Sequence, residues 1–371
     1  MTFDRRELLK TGASAAAIAA APAAAWAQAP SPALFAPTPG AWRTYEVATK
    51  LEVLNPQGET QAWLPIPAFE GEGWIKPGET TFTTKSGKAA IVQDPKSGAR
   101  MLHVAWASDE PQPEVTAVSR FTARDLKVDM STSNPAVKLS PELRARYTAS
   151  TSTLRLPGIV TETAAKITAG ATNDLDKARR IYEWVVDNTT RNGKTRGCGT
   201  GDIESMLKSG NLTGKCADLN ALYVGLARAS MLPARDLYGI RVAPSAFGYK
   251  SLGAGSATIT RAQHCRADVF VDGIGWIPVD PADVRKVVLE EPPGTLAMDD
   301  PKVKAARAAL FGSWETNWLA YNDTHDVVLP GSKGPAVSFL MYPQAETARG
   351  RLDELDPDAF KYTITTRQLP A

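Results

Sequence analysis

Three residues that could together carry out nucleophilic catalysis occur in the order Cys216, His264 and Asp280. Cys216 follows Gly214-Lys215 at the start of a run with helical spacing, and a helix N-terminus stabilises the thiolate, which is the nucleophilic form of cysteine. The backbone N–H of Cys216 is then available to a developing oxyanion. A cysteine nucleophile also needs a general base, for which histidine is the usual choice.

His264 is the best placed of the three histidines to serve as that base. It opens an alternating segment that turns at Asp272-Gly273, and Asp280 ends the returning strand, so a hairpin would bring the two side chains together. A carboxylate beside the imidazole would hold the correct tautomer. His103 is most simply a strand residue and His325 belongs to a C-terminal loop region. The pattern predicts a Cys216–His264–Asp280 triad, against the simpler alternative of a core cysteine and a surface histidine.

The surrounding pattern predicts the elements that would position these residues. Short period-2 runs separated by turns indicate an antiparallel β region reaching to about residue 130. Helical spacing follows over 174–192, and a second helix begins near Cys216 and stops near Pro233. Strands then follow, and residues 301–323 have a helical pattern again. Helices followed by several strands favour an α+β fold over a doubly wound parallel sheet.

Four motifs of this region resemble those of the transglutaminase-like superfamily. They are GKCADLNAL around Cys216, LPAR followed by YG, HCRADVFV from His264, and GWIPVDP around Asp280, and they span roughly residues 170–285. The helical segment 174–192 is similar to the helix that precedes the cysteine in that superfamily, and the early β region resembles the N-terminal region of its bacterial members.

The resemblance implies a papain-like α+β core with Cys216 as nucleophile, His264 as general base and acid, and Asp280 as the residue that orients the imidazole. It implies attack on a glutaminyl or peptide carbonyl, a thioester, and transfer of the acyl group to an amine or to water. Two positions depart from the family pattern: Lys215 and Arg266 stand where other residues are more familiar. Both are predicted to line the acyl site, so substrate choice stays open.

The N-terminus has the pattern of an export signal. Arg5-Arg6 precede an Ala-rich stretch that ends at Ala25-Trp26-Ala27, which predicts a twin-arginine signal peptide over 1–27 and a periplasmic or otherwise exported protein. A Pro- and Ala-rich flexible leader is predicted for 28–40. The chain further divides into an N-terminal β domain at 41–135, a transglutaminase-like core at 136–300 and a C-terminal helix/strand extension at 301–371, which is expected to pack on the other domains.

Composition excludes several classes of partner. The 371-residue chain has a formal net charge of +2, which gives no electrostatic basis for binding nucleic acid. No stretch of 18 apolar residues predicts a membrane-spanning helix. The expected partner is a protein or peptide substrate, including a component of the cell envelope, and no cofactor is expected.

The chain has three cysteines, Cys198, Cys216 and Cys265. Because neighbouring residues of a strand face opposite ways, Cys265 is predicted to face away from Cys216 and either to stay buried or to bridge to Cys198, which leaves Cys216 unpaired. A metal site made from these cysteines and His264 is disfavoured, since structural zinc uses close Cys pairs. Two questions stay open: hydrolysis against amine transfer, and an enzyme against a catalytically weak binding or scaffolding module of the cell envelope.

Overall fold

The computed structural model describes residues 34–356 and 360–370, which belong to a compact unit spanning Ala33–Ala371. The predicted signal peptide, 1–27, lies outside the described residues, as do residues 28–33 of the predicted leader. Within the described ranges, no helix combines the length and apolar character that crossing a membrane would require.

The N-terminal part is built from strands, as the period-2 pattern predicts. They are β1 (Arg43–Val53), β2 (Thr60–Pro65), β3 (Ile75–Thr84), β4 (Lys88–Gln93), β5 (Arg100–Trp106), β6 (Glu114–Ala123) and β7 (Leu126–Lys127). Burial alternates along β1 and β6, because one face of each strand lies on the core and the other faces outward.

The middle of the chain carries the predicted helices and hairpin. Its elements are α1 (Pro141–Thr148), α2 (Ile159–Thr168), α3 (Asp174–Asn188), β8 (Thr190–Arg191), α4 (Ile203–Ser209), β9 (Thr213–Gly214), α5 (Cys216–Ala229), β10 (Ala234–Arg241), a 3-10 turn (Lys250–Leu252), β11 (Gln263–Val271), β12 (Gly275–Val279) and α6 (Pro281–Glu290). The Asn173 side chain caps α3 by accepting from the Asp176 N–H. Every residue of α5 from Cys216 to Arg228 is buried, so this helix forms the centre of the core.

The C-terminal part contains α7 (Pro301–Ala309), β13 (Ser313–Trp314), β14 (Trp318–Asn322), β15 (His325–Val327), β16 (Val337–Phe339), β17 (Gln344–Thr347), β18 (Gly350–Arg351) and β19 (Phe360–Gln368). The helix predicted for 301–323 is therefore wrong beyond Ala309. Gly312, with φ +114°, takes a conformation that a helix cannot include. The following segment pairs as strands, which bury Trp314 and Trp318 completely.

Antiparallel sheets organise the molecule. Two N-terminal sheets have the strand orders β19-β1-β6-β3 and β18-β17-β2-β5-β4, so C-terminal strands complete both. A third sheet, β12-β11-β10-β14, carries α5 on one side, and helices α2 and α3 pack against that helix. Mixed helices and antiparallel sheets confirm the α+β prediction.

Candidate active site

Cys216 is the first residue of α5, and Asp218 fixes the chain around it. The Asp218 carboxylate accepts from the Lys215 N–H at 3.0 Å and from the N–H groups of Thr200 and Gly201 at 2.9 and 3.0 Å. A Cβ added at Gly214 would lie 2.3 Å from Asp218 Oδ2, so only glycine allows this close approach. The sequence identified Gly214 as the turn but missed the carboxylate that the turn accommodates.

The helix start leaves one backbone donor free beside the thiol. The Ala217 N–H donates to the Cys198 carbonyl at 2.9 Å, whereas the Cys216 N–H has no acceptor among the described residues. A free N–H at a helix N-terminus can stabilise negative charge on an oxygen. This arrangement is what the predicted oxyanion role of the Cys216 N–H requires.

The β11–β12 hairpin brings His264 to Asp280. Pairing of Ala267 with Val279 sets the register, and the His264 Nε2 donates to Asp280 Oδ2 at 2.8 Å. Asp280 also caps α6, where its Oδ1 accepts from the Asp283 N–H at 3.0 Å. Because Nε2 is engaged by the carboxylate, Nδ1 is the nitrogen left to meet the Cys216 thiol, whose pKa His264 lowers.

Two side chains that the sequence reasoning missed hold this pair in place. Asn220 donates to the Cys265 carbonyl at 2.8 Å and to Asp280 Oδ1 at 3.2 Å. The Trp318 indole donates to the His264 carbonyl at 2.9 Å. Asn220 follows Cys216 by four residues on an otherwise apolar stretch of α5, and a buried amide at that spacing was the signal available in the sequence.

A second carboxylate, Asp283, also faces His264. Its Oδ2 lies 3.4 Å from the imidazole Nε2, and Arg241 donates to its two oxygens at 2.5 and 2.8 Å. Burial and the Arg241 cation lower the pKa of His264, but Asp283 and Asp280 outweigh them and raise it to about 9. The imidazole is therefore held as a cation at neutral pH.

The three cysteines lie together, all buried and free. Hydrogen bonds with the thiols of Cys198 and then Cys265 make the largest contributions that hold the pKa of Cys216 well below its usual value. Burial opposes this lowering, and the hydrogen bond and positive charge of His264 add to it. Burial raises the pKa of Cys265, so Cys216 is the thiol that ionises.

The prediction that Cys265 faces away from Cys216 is wrong, because the two thiols interact. The reason lies in the pairing of β11. Strand β12 pairs only with Ala267–Val271, so the preceding residues of β11 have a free edge, and there Asn220 of α5 binds the Cys265 carbonyl. Cys216 lies one helical turn before Asn220, and Cys216 and Cys265 fall in one buried cluster with Cys198.

Of the two predicted substrate-lining residues, only Lys215 lines a cleft. Arg266 is 2% exposed and lies behind the site, where it donates to the Glu315 carbonyl at 2.9 Å and stacks on Trp314 and Trp318. The buried indoles of Trp314 and Trp318 hold its guanidinium in the interior. Its Nε lies 3.6 Å from Asp280 Oδ2, so Arg266 neutralises the site carboxylate and does not contact the cleft.

The cleft beside Cys216 has a volume of about 590 Å³. Its lining includes Cys198, Lys215, Cys216, Gln263 and His264. The volume is in the range of pockets that bind small molecules or a few residues of a peptide. Cys216 is thus 3% exposed but opens onto a space that a small molecule or peptide can enter.

His264, Asp280 and Asp283 also place ligand atoms within 4.8 Å of one another, a spacing that a cation could use. Both carboxylates already face guanidinium groups, however, since Arg241 binds Asp283 and Arg266 lies beside Asp280. Because positive charge is already supplied, the cluster suits the orientation of an imidazole better than the binding of a metal ion.

Comparison with known proteins agrees with this geometry. Residues 161–281, which include Cys216, His264 and Asp280, match the family model of the transglutaminase-like superfamily. An uncharacterized protein of Haemophilus influenzae is 33% identical over 343 residues, covering 88% of this chain and 91% of its own length. The chain belongs to the transglutaminase-like superfamily.

Solved structures of bacterial proteins are also among the matches. A "putative cysteine protease" from Cytophaga hutchinsonii matches with a TM-score of 0.50 at 14% identity, covering 89% of this chain and 99% of that one. The periplasmic domain of TgpA from Pseudomonas aeruginosa matches with a TM-score of 0.33 at 15% identity, covering 65% of this chain and 88% of that one. The papain-like class of the core agrees with the first match.

Proposed function

We propose that this transglutaminase-like protein is a cysteine-dependent acyltransferase or hydrolase that acts on glutaminyl or peptide amides through a thioester. The observation that carries the proposal is the buried His264–Asp280 pair, 2.8 Å between Nε2 and Oδ2, beside a thiol whose pKa lies well below its usual value. A thiolate and an imidazolium held together at neutral pH are the reactants that this chemistry needs.

In the proposed reaction, the Cys216 thiolate attacks the carbonyl carbon of the amide. The oxygen that gains the negative charge is stabilised by the Cys216 backbone N–H. The C–N bond then breaks, and the His264 imidazolium gives its proton to the departing amine, which leaves a thioester and a neutral imidazole. Asp280, which accepts from Nε2, orients the ring so that Nδ1 faces the thiol.

The second half of the reaction restores the thiol. Water or a primary amine attacks the thioester carbonyl while His264 takes its proton, and the C–S bond breaks to release the Cys216 thiolate. Water gives a carboxylic acid and an amine gives a new amide. Both acceptors use the same residues, so the products must be measured to choose between hydrolysis and transfer.

The test is labelling of the full chain with an electrophilic thiol probe, with the site identified by mass spectrometry. We expect Cys216 to react much faster than Cys198 and Cys265, and the Cys216→Ala variant to lose the label and all turnover. Cys216 labelling no faster than an unfolded thiol peptide would overturn the proposal and favour a binding or scaffolding module. Turnover of glutaminyl peptides with and without a primary amine then separates transfer from hydrolysis.

We further propose that residues 1–27 direct export of the protein to the periplasm or beyond. Support comes from Arg5-Arg6, the Ala-rich stretch and the Ala25-Trp26-Ala27 cleavage pattern. The experiment is fractionation of cells that express the full chain. We expect a mature form that begins near Gln28 outside the cytoplasm, and retention of the R5K/R6K variant inside it. Export of that variant would contradict a twin-arginine route.

A further inference from the structure

One side of the cleft is formed by three basic residues from separate elements. Arg191 lies in β8 and pairs in register with Gly214, two residues before the nucleophile. Lys215 caps α5 directly before Cys216, and Lys286 lies on α6. All three line the cleft, and we refer to Arg191, Lys215 and Lys286 as the cationic wall.

The cationic wall has fewer ion-pairing carboxylates than cations. Glu290 is the ion-pair partner of two of its members. One carboxylate oxygen of Glu290 binds Arg191, and the other lies 3.8 Å from the Lys286 Nζ. Lys215 has no ion-pair partner among the described residues. Three cations therefore share one carboxylate, and positive charge next to the nucleophile is left uncompensated.

Lys286 shows the effect of this shortage most clearly. Its side chain is 18% exposed, and its Nζ makes no hydrogen bond within residues 34–356 and 360–370. Burial and then the nearby Arg241 cation lower the pKa of Lys286 to about 8. A buried ammonium with an incomplete set of acceptors is stabilised by any anion that enters the cleft.

Three other basic residues of the cleft differ from the wall because they are paired, whereas Arg261, which also lines the cleft, has no ion-pair partner among the described residues. Arg241 is bound to both oxygens of Asp283, Arg196 pairs with Asp353, and Lys361 pairs with Glu52 at 3.0 Å. The remaining lining includes the apolar and aromatic side chains of Ile259, Tyr342, Leu355, Phe360 and Tyr362 and one carboxylate, Glu354. The cleft thus combines apolar surface with the incompletely neutralised positive charge of the cationic wall.

We propose that the acyl donor carries a carboxylate, which binds the cationic wall while the reacting carbonyl lies at Cys216. The inference rests on the proposed function, because it names the substrate class of the same site. Such a carboxylate can come from an acidic side chain next to the reacting amide or from the free C-terminus of a short peptide. Both sources offer the oxygens that Arg and Lys side chains bind.

The first experiment compares two alkylating reagents of similar size, anionic iodoacetate and neutral iodoacetamide, on Cys216 of the full chain at pH 7. The measured quantity is the ratio of the two rate constants, divided by the same ratio for a free cysteine peptide. Both reagents need the thiolate, so a change in the pKa of Cys216 cancels in the ratio. We expect the cleft to raise this normalised ratio of rate constants about tenfold at low salt and less at high salt.

Variants identify the source of that preference, because the His264 imidazolium also attracts an anion. We expect Lys215→Gln and Lys286→Gln each to lower the ratio several-fold, while Lys166→Gln, which removes an exposed charge from α2, leaves it unchanged.

A ratio unaffected by both wall variants overturns the proposal, even where Cys216 reacts rapidly with iodoacetamide. Failure of both reagents on folded protein overturns the proposed function, and this inference with it. Since Lys215 is half-exposed, its variant keeps the test available where Lys286→Gln does not fold.

The second experiment uses matched peptide amides as substrates. One set has Glu or its isostere Gln beside the reacting amide, and the other has a free or an amidated C-terminus. We expect loss of the recognised carboxylate to lower kcat/KM about tenfold or more in one set, which identifies the source, and to lower it much less in Lys215→Gln. Equal kcat/KM for charged and neutral members of both sets contradicts the proposal.

Discussion

The molecule contains two buried histidine–aspartate pairs whose histidines differ in protonation at neutral pH. His264 and Asp280 lie 2.8 Å apart beside Cys216, whereas His325 and Asp236 lie 3.4 Å apart on the other side of Tyr238. Burial, with the charges of Arg228 and Arg146, lowers the pKa of His325 to about 3. Burial also raises the pKa of Asp236 to about 7. One pair is charged at neutral pH, and in the other the histidine is neutral.

The difference comes from the groups around each pair. His264 faces two carboxylates, Asp280 and Asp283, which together outweigh burial. His325 has one carboxylate, and neither its Nε2 nor Asp236 Oδ2 has a hydrogen-bond partner among the described residues. A histidine and an aspartate in contact are therefore not by themselves a catalytic pair. The second carboxylate and the adjacent thiol make the first pair suited to proton transfer.

The largest expected effect separates the two histidines. We predict that His264→Gln lowers turnover by about 10³-fold, because the base and the acid are lost together. The alkylation rate of Cys216 should fall by a smaller factor, because the neighbouring thiols still lower its pKa. His325→Gln, the matched control, should change both rates by less than about threefold. Rates are measured with the full chain at pH 7, with circular dichroism to verify folding. Comparable losses in the two variants would remove the functional distinction between the pairs.

The second largest effect concerns the aspartates of the two pairs, because Asp280 should affect catalysis and Asp236 should affect stability. Asp280→Asn removes the acceptor that orients His264, and we predict a loss of about 10²-fold in kcat. The loss is smaller than for His264→Gln because Asp283 remains 3.4 Å from Nε2. The pKa of His264 should also fall toward its ordinary value, which shows as a shift in the pH profile. An unchanged profile with reduced activity would mean that Asp280 only maintains the fold.

Asp236→Asn should instead affect stability. The pKa of Asp236 in the folded protein, about 7, lies above its ordinary value of 3.8, so the folded state favours the protonated form. The stability that this group contributes is complete below about pH 4 and is lost as the pH rises through about 7. We predict that the amide is more stable than the wild type by up to about 4 kcal/mol at pH 8, the free energy linked to a pKa raised from 3.8 to about 7, and has no advantage at pH 4. Denaturant titrations at the two pH values measure this, and an advantage independent of pH would contradict the shifted pKa.

The pH dependence of the reaction tests the charged pair itself. The alkylation rate of Cys216 should rise with pH through a midpoint well below that of a free thiol. Turnover should fall again above about pH 9, because the His264 cation that protonates the departing amine is lost there. The His325 pair has no group that contributes to either limb, so His325→Gln should leave the profile in place. A single rising limb with a midpoint near 8.5 would indicate an ordinary thiol.

The sequence predicted the parts of the site that follow from local patterns. The spacing of Leu219, Leu222, Tyr223 and Leu226 after Gly-Lys located Cys216 at a helix start, and the Asp272-Gly273 turn indicated which strand ends would meet. Local patterns could not reveal Asp283, because its importance depends on Arg241, a buried partner 42 residues away. Pairing of β1 with β19 across the whole described chain likewise has no local signal. The helical pattern past residue 309 failed because tertiary pairing with β7 and β10 prevailed over spacing.

The smallest expected effect concerns the thiols of Cys198 and Cys265, which lie near the His264 pair. Hydrogen bonds with Cys198 and then Cys265 contribute most to the low pKa of Cys216. We therefore predict that Cys198→Ala raises that pKa, that Cys265→Ala raises it by less, and that the pKa of His264 stays at about 9 in both. The pH dependence of iodoacetamide alkylation measures the shift, and at pH 6 the rate should fall up to about tenfold. No shift in either variant would mean that the imidazolium alone keeps Cys216 ionised, and the contrast between the two pairs would then rest on the second carboxylate.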